Sequence, residues 1–472
     1  MNKVQTEQER PSAQELEDRL RRTMTDYFLI GAWRDRQYYY SLTEQDLKEH
    51  PVCYCGIFVN LVMDGELKKA WDVINVFPEN SFYNLSMTLV HPEVTLRKFV
   101  DTIRYLKKNK ISIGHVVLTA GRPSILNGAN DFTRVAPYIK NHKKIFTEDV
   151  NYLYADATGS SIYNLCIAEY NYQRDRLFDA EVLVSRTIKE FDTPTQRRLL
   201  FVALYLQSKI LLANGKLVKA SSYIKDIRNF VKKEGQAEFS YNIDAAEVVG
   251  ALYENDFVQI SKWLKDKAPD EYAEFCMLDL YRYMVKMRCY IVTKKYEAVI
   301  ALAERLRPLL IEGKRHMDLC EIDMLLAITF YRAEKKEQAF EYLEHAVKNA
   351  KVHGYYRLIG DEGAAILNLL IDYMKLKGED YFLKSLIQIA RSMALNHPMY
   401  LKTVYNKNVE FSQTEIGILK FVEQGKSKEE ISECFFITEN TVKYHLKNIY
   451  LKLDANNACQ AVWNARALGI LG

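Results

Sequence analysis

The sequence predicts an all-α protein, in which a solenoid of helical repeats is followed by a small domain of four short helices. Two observations support this prediction. Turn-like stretches recur about every 40 residues through the middle of the 472-residue chain, and four helix signals follow one another after residue 411. Apolar residues make up 48% and charged residues 27% of the chain, as in ordinary globular proteins with large cores.

Bulk composition excludes several classes of protein. The net charge is only +4, so nucleic-acid binding has to be argued from local charge. The start, MNKVQTEQERPS, contains no apolar signal segment, and no apolar run approaches the roughly 18 residues that cross a bilayer. The eight cysteines are scattered without a CxxC pair, which indicates reduced thiols rather than a metal site. We therefore expect a cytoplasmic protein with no cofactor, no metal and no membrane partner.

The central periodicity predicts pairs of helices. Each turn-like stretch contains an anchor residue, and the spacings between anchors are 40, 40, 39 and 40 residues. The anchors are Leu177, Leu217, Phe257, Tyr296 and Lys336. Three residues after them stand Ala180, Ala220, Ile260, Val299 and Ala339, which are small or aliphatic. Helix–turn–helix units at this period are typical of an α-solenoid. The alternative is a helical bundle with accidental spacing.

An α-solenoid presents a concave groove that suits a peptide, a partner helix or an extended small molecule. Four tyrosines on the expected first helices are candidates to line the groove, with burial in the core as the alternative. They are Tyr163, Tyr170, Tyr205 and Tyr281. We assign residues 151–395 to the solenoid, as the sensor of an unidentified small-molecule or protein effector.

Residues 1–150 form a predicted N-terminal helical region. The stretch 64–74, DGELKKAWDVI, repeats the turn and the Leu-x-x-Ala pattern, so helical pairs begin early. The stretch 118–132 contains two glycines and a proline and predicts a loop. This loop is either a structural connector or an effector contact through Arg122. No GxxxxGK[ST] phosphate-binding loop occurs in the chain.

Residues 411–472 carry the signals of the four short helices. Ser412 with Glu415 and Ser427 with Glu430 stand at capping-box spacing, and Gly425 ends the first helix. Thr438 is a natural N-cap for the third helix. The fourth, 458–468, has a stripe formed by Ala458, Ala461, Val462, Ala465 and Leu468, and Gly469 closes it.

The third helix, TENTVKYHLKNIYLKL (438–453), has two different faces. Its apolar face consists of Val442, Leu446, Ile449 and Leu453. The residues between them include Lys443, Tyr444, Lys447, Asn448 and Lys452. Two short helices joined by a turn, the second with a basic outer face, form a helix-turn-helix.

The chemistry of this face fits the major groove of DNA, which admits one α-helix. Lysine donates to guanine O6 and N7 or to phosphate, and Thr441 and Asn448 can donate to phosphate oxygens. Residues 411–472 hold seven acidic and seven basic residues, but from Val442 onward there are four basic and one acidic. This polarity predicts modest affinity as a monomer and dependence on dimerisation. The alternative is a solvated helix face in an interaction module.

The stretch SKEEISECFFITENTVKYHLKNIYLKL resembles the LuxR-type helix-turn-helix, whose pattern runs S-x-x-E-I-A-x-x-L-x-I-S-x-x-T-V-K-x-H-x-x-N-I-x-x-K-L. The matching residues are Ser427, Glu430, Ile431, Ile437, Thr441, Val442, Lys443, His445, Asn448, Ile449, Lys452 and Leu453. Several positions depart from the family. Phe436 replaces the usual turn glycine, and Cys434 and Phe435 make the turn bulkier. Asp454 stands where a glycine is common, and Ala458 where an arginine is.

The resemblance implies a role for each candidate residue. Lys443, Tyr444 and Lys447 would face base edges of double-stranded operator DNA. Thr441, Asn448 and Lys452 would lie near the DNA backbone or support the fold. The helix 458–468 would be the face of a homodimer, and RNA polymerase is a further candidate partner.

The whole chain resembles the maltose-regulon activator (MalT-like) group of bacterial regulators, which combine tetratricopeptide-like repeats with this module. HGYYRLIGDEG (353–363) and LTAGRPSILNG (118–128) are similar to blocks of that group. That group commonly begins with an ATP-binding domain. This chain has no phosphate-binding loop, so ATP-driven self-association is not expected.

We therefore predict a transcription regulator whose solenoid controls the pairing of two C-terminal modules across a linker at 396–410. One alternative is a solenoid scaffold whose C-terminal module binds a protein. An enzyme is the other, but no catalytic constellation supports it. The sequence does not identify the effector, the operator or the direction of regulation.

Overall fold

The computed structural model describes residues 10–22, 32–76, 104, 107–108, 136–154, 159–190, 194–233, 240–312, 315–402, 411–453, 455, 457–467 and 470–471. The regular elements in these ranges are helices, without a strand among them, so the all-α prediction is confirmed. The predicted loop at 118–132 with Arg122, and Gly469, lie outside the described residues. Within the described ranges no helix is long and apolar enough to span a membrane.

The N-terminal region consists of short helices that share one core with the first repeats. These helices are α1 (Ala13–Arg22), α2 (Ala32–Arg34), α3 (Arg36–Tyr40), α4 (Glu44–Glu49), α5 (Cys53–Met63), α6 (Leu67–Val76), α7 (Ala136–Asn141) and α8 (Lys143–Tyr154).

Five helix pairs form the body of the solenoid. They are α9 (Gly159–Gln173) with α10 (Leu177–Glu190), α11 (Pro194–Ala213) with α12 (Leu217–Lys233), α13 (Ser240–Glu254) with α14 (Phe257–Asp266), α15 (Leu280–Val292) with α16 (Tyr296–Glu312), and α17 (His316–Arg332) with α18 (Lys336–His353). Each predicted anchor is the first residue of a second helix, so the predicted repeats are confirmed. The small or aliphatic residue three positions later is buried in every pair.

The five turns share one backbone conformation. Two residues before each anchor the chain adopts a positive φ, at Asp175, Gly215, Asn255, Lys294 and Glu334. A left-handed residue after a helix ends it and redirects the chain. Gly65 repeats this conformation before α6, where Ala70 is buried, so the early helix pair at 64–74 is confirmed.

The solenoid curves until its last helices contact its first. These last helices are α19 (Tyr356–Gly360), α20 (Leu367–Lys377) and α21 (Tyr381–Asn396). The backbone N–H of Leu358 donates to Oε1 of Gln173 at 3.2 Å, and Nδ2 of Asn396 donates to the carbonyl of Ala213 at 3.2 Å. The described repeats therefore close around a central cavity.

The C-terminal domain has a core of its own. It contains α22 (Gln413–Glu423), α23 (Lys428–Phe435), α24 (Glu439–Leu453) and α25 (Ala458–Ala467). Residues 396–402, which the sequence assigned to the linker, end α21 and pack on the solenoid, with Tyr400 and Leu401 buried. Residues 403–410 lie outside the described part of the chain.

Candidate nucleic-acid interface and central cavity

Helix α24 is anchored by its apolar face. Val442, Leu446, Ile449 and Leu453 are all buried in the core of the domain. The backbone N–H of Thr441 donates to Oγ1 of Thr438 at 3.2 Å, which confirms the predicted N-cap. Because one face is buried and the first turn is capped, the direction of the outer face is defined.

Three of the predicted DNA-contacting side chains lie on the solvent side of α24. Lys443 and Lys447 are exposed, and Tyr444 is 63% exposed. The Nζ of Lys443 lies 3.9 Å from a carboxylate oxygen of Glu439. An exposed pair at this distance contributes little, so the lysine can exchange it for a phosphate or a base.

The other three predicted residues are partly buried. Oγ1 of Thr441 lies 2.9 Å from Oγ1 of Thr438, and Asn448 is half-buried on α24. The ammonium of Lys452 donates to Oε2 of Glu415 at 2.6 Å and lies 5.4 Å from the ring centroid of Phe411. Lys452 therefore joins α24 to α22 inside the domain.

Glu415 belongs both to this ion pair and to a capping box. Both predicted capping boxes are formed, at Ser412 with Glu415 and at Ser427 with Glu430. Burial acts to raise the pKa of the Glu415 carboxyl, but hydrogen bonds from Lys452 and the Ser412 backbone outweigh it, so the pKa lies below its usual value.

The turn between α23 and α24 accommodates two phenylalanines differently. The ring of Phe435 packs edge-on against Phe421, with centroids 5.6 Å apart, and it covers Gly417, where a Cβ would lie 2.6 Å from the ring. Phe436, at the usual glycine position, adopts φ 54° and ψ 41° and is 96% exposed. The missing glycine thus leaves a left-handed, solvent-exposed aromatic residue in the turn.

The alanine stripe of helix α25 packs into the core of the C-terminal domain. Ala461 and Ala465 are buried, Ala458 is exposed, and Leu468 lies outside the described residues. On its other side, Nε of Arg466 donates to Glu423 at 2.6 Å. The ring centroid of Trp463, which is 37% exposed, lies 6.2 Å from that of Phe257 in the solenoid.

The central cavity has a volume of about 370 Å³ and is rich in tyrosine. Its lining includes Tyr172, Tyr205, Tyr253, Tyr281 and Tyr400. The hydroxyls of Tyr205 and Tyr281, two of the predicted groove residues, lie 3.1 Å apart. Of the other two, Tyr163 is buried, and the guanidinium of Arg174 lies 4.1 Å from the ring centroid of Tyr170.

A buried ionic network forms part of the cavity wall. Nε of Arg288 donates to Glu362 at 3.1 Å, and Nη1 of Arg288 lies 2.7 Å from Oε1 of Glu321. The hydroxyl of Tyr400 donates to Oε2 of Glu362 at 3.1 Å. Burial raises the pKa of Tyr400 well above its usual value, so this hydroxyl remains a neutral donor.

A second buried ionic group lies where the solenoid closes. Arg357 is 2% exposed, and its guanidinium lies 2.6 Å from Asp361 and 3.1 Å from Asp175 of the first repeat turn. The hydroxyl of Tyr172 donates a hydrogen bond to Oδ2 of Asp361. Buried charges of this kind require good geometry to offset their desolvation.

Sequence reasoning missed both ionic groups, although signals were present. Lys286 and Arg288 interrupt the apolar stretch YMVKMRCYIV, and a charge inside an apolar helix indicates a buried partner. The block 353–363, noted only for its resemblance, contains Arg357, Asp361 and Glu362.

The fold and the outer face of α24 define a helical-repeat protein with a C-terminal helix-turn-helix. The family model "MalT-like TPR region" matches residues 163–376, and "Bacterial regulatory proteins, luxR family" matches residues 409–465. Neither of these is an ATP-binding domain. The C-terminal domain therefore belongs to the LuxR family of bacterial regulatory proteins, and it follows a MalT-like TPR region.

Some similar proteins match a short stretch of this chain, and others match a stretch of more than 300 residues. The transcriptional activator protein PhzR of Pseudomonas fluorescens is 42% identical over 67 residues, 14% of this chain and 28% of that protein. The HTH-type transcriptional regulator MalT of Klebsiella pneumoniae is 23% identical over 314 residues, 62% of this chain and 34% of that protein. The chain thus spans about a third or less of either relative.

Proposed function

We propose that this protein is a cytoplasmic, DNA-binding transcriptional regulator whose solenoid controls a C-terminal LuxR-type helix-turn-helix. The observation that carries this proposal is the outer face of α24. Lys443, Tyr444 and Lys447 are exposed together on a helix whose opposite face is fixed in an independent core. In the proposed complex these three side chains contact base edges, while Thr441 and Asn448 lie near phosphates and Lys452 supports the fold.

The protein binds its operator as a homodimer in this proposal. Seven acids balance seven bases in residues 411–472, so a single domain has little electrostatic affinity for DNA. Two domains on half-sites one helical turn apart double the specific contacts. The pairing surface is the solvent-facing side of α25, because its alanine stripe is buried within the domain. Contact of the bound dimer with RNA polymerase belongs to the same proposal.

The test of DNA binding is selection of retained fragments from randomised duplex DNA by the full-length protein, across a salt series. We expect an enriched site with two related halves. Lys443→Ala with Lys447→Ala should abolish the enrichment. Lys420→Ala with Lys428→Ala is the matched control, since it removes two exposed lysines of the same domain from outside α24.

Two results would contradict this proposal. Sequence-blind binding that collapses with salt would show only phosphate contact. Regulation that survives the Lys443/Lys447 double substitution would favour the scaffold alternative, in which the domain binds a protein.

The central cavity is the proposed effector site. Its volume suits a small molecule, and aromatic rings with a few fixed polar groups are typical of such sites.

Gly250 lines the cavity, and a Cβ there would meet only Ser221, at 3.6 Å. A ligand of the cavity should raise the Tm of the wild type and of Gly250→Ala but not of Gly250→Phe, whose ring occupies the space. A ligand that stabilises all three proteins equally binds elsewhere.

A further inference from the structure

The segment that leaves the solenoid, residues 397–402, is built into the wall of the cavity. Nε2 of His397 donates to the carbonyl of Leu212 at 2.7 Å. The ring of Tyr400 stacks on Tyr253, with centroids 4.2 Å apart and planes 22° apart. Leu401 is fully buried. The last described residues before the C-terminal domain are therefore held by the second and third repeats of the solenoid.

The groups that hold Tyr400 also face the cavity. Tyr253, Arg288 and Glu362 all line it. Glu362 accepts one hydrogen bond from the Tyr400 hydroxyl and another from Nε of Arg288. A molecule that enters the cavity can make polar or aromatic contacts with these same groups. A ligand in the cavity and the packed side chain of Tyr400 can therefore compete for the same partners.

One residue of the packed segment 397–402 has a strained backbone. Leu401 has a φ of 52°, a left-handed conformation that is unfavourable for a residue with a Cβ. The burial of its side chain and the bonds of Tyr400 offset this cost while the segment is seated. Loss of the Tyr400 contacts would therefore favour release of the whole segment.

The length of free chain between the solenoid and the C-terminal domain depends on whether residues 397–402 are packed against the solenoid. Eight residues, 403–410, separate Lys402 from the C-terminal domain, and an extended chain of this length reaches at most about 30 Å. Release of 397–402 would lengthen the reach to about 50 Å. Half-sites lie about 34 Å apart on DNA. In the seated state Trp463 of α25 also lies against Phe257.

We propose that residues 397–402 act as a latch: seated against Tyr253 and Glu362, the latch restrains the DNA-binding domain, and a ligand in the central cavity releases it. Release frees the outer side of α25 and gives two domains the reach to pair on one operator. This inference rests on the proposed function, because it assigns the regulation of the same cavity and domain.

The test compares full-length wild type with Tyr400→Ala, by hydrogen exchange of residues 396–402 and by affinity for the selected operator. We expect Tyr400→Ala to lose protection in this segment and to bind the operator about 5- to 50-fold more tightly without ligand. Tyr400→Phe keeps the stacking but loses the bond to Glu362, so its change should be smaller and in the same direction. Tyr381→Ala, which removes an exposed tyrosine of α21, should match the wild type.

The outcomes separate this inference from the proposed function. If the wild type selects no operator, the proposed function fails and the latch fails with it. If the wild type selects an operator but Tyr400→Ala releases the segment with unchanged or weaker affinity, the latch alone is overturned. Should Tyr400→Ala lose helical circular dichroism, Tyr400→Phe decides by the same two readouts.

Discussion

Phe436 and Lys452 show what individual residues contribute to the C-terminal domain. Phe436 holds a left-handed conformation, and its side chain gains no burial in return. Lys452 turns inward to Glu415 rather than outward with Lys443 and Lys447. One residue therefore costs stability at the turn, and the other supplies stability between two helices.

Replacing Phe436 with glycine should stabilise the domain. The left-handed conformation costs roughly 1–2 kcal/mol for a residue with a Cβ, while glycine adds about 0.5–1 kcal/mol of unfolded-state entropy. We expect a net gain of about 0.5–1 kcal/mol, measured by hydrogen exchange of the slowest amides of α22–α25. Phe436→Ala retains the Cβ and should show no gain. Equal stability of the glycine and alanine variants would contradict this explanation.

Glu415→Gln should destabilise the domain in a pH-dependent way. The lowered pKa means that the ionised carboxylate stabilises the fold above its unfolded pKa of about 4.3, and that this stability is lost as the pH falls through the lower folded pKa. We expect a cost of about 1–3 kcal/mol at pH 7, which shrinks below about pH 4. Urea unfolding followed by exchange in α22–α25 measures it.

The control for this experiment is Glu429→Gln, at an exposed carboxylate outside both capping boxes. It should change stability by less than about 0.5 kcal/mol at either pH. A Glu415→Gln difference that stays constant down to pH 3 would show that the ion pair with Lys452 does not stabilise the fold.

Much of this residue-scale detail could be predicted from sequence, because it is local. Capping boxes and helix stops depend on residues three or four apart, so Ser412, Ser427 and Gly425 were recognisable. The ion pair of Lys452 with Glu415 was not, because it depends on the angle at which α24 crosses α22. The DNA contacts of Lys443 and Lys447 stay a prediction that rests on the exposure of both side chains on α24.

At the scale of elements, the repeat turns follow one rule with varied residues. Glycine occupies the left-handed position at residue 215, and aspartate, asparagine, lysine and glutamate occupy it in the other four repeats. The periodic anchors were visible in the sequence because the buried residue one turn into each second helix is small or aliphatic. The first residues of the five second helices followed from those anchors.

Ala339→Leu should destabilise the fifth repeat. Ala339 is fully buried where α18 packs on α17, so the added methyl groups force the helices apart. We expect a loss of about 1–3 kcal/mol, measured by thermal and urea unfolding of the full chain. Gln338→Leu, at an exposed neighbour on the same helix, is the control and should be nearly neutral. A similar loss in both variants would point to a general effect on α18.

At the scale of the whole molecule, the closed solenoid was beyond sequence reasoning. The period predicts that helix pairs stack, but the small rotation of each pair accumulates over about 200 residues before Arg357 meets Asp175. The closure creates the cavity and seats residues 397–402 in its wall. The proposed regulation therefore depends on curvature rather than on any one motif.

Arg357→Leu should open the closed solenoid. It leaves the mostly buried carboxylate of Asp361 and the exposed carboxylate of Asp175 without their shared cation, and we expect a cost of about 1–3 kcal/mol for the unpaired group. Small-angle X-ray scattering should report a larger radius of gyration, with a lower Tm. Arg391→Leu, at an exposed position on α21, should leave both unchanged. An unchanged radius would show that the remaining contacts keep the ends together without this ionic group.

The central claim is that the chain recognises a particular DNA sequence through α24. The most direct test is the ratio of affinities of the full-length protein for its selected operator and for a scrambled duplex, at fixed salt. We predict a ratio of at least about 10³ for the wild type and for Lys420→Ala/Lys428→Ala. The ratio should approach one for Lys443→Ala/Lys447→Ala. A wild-type ratio near one, or a ratio unaffected by removing Lys443 and Lys447, would contradict the claim.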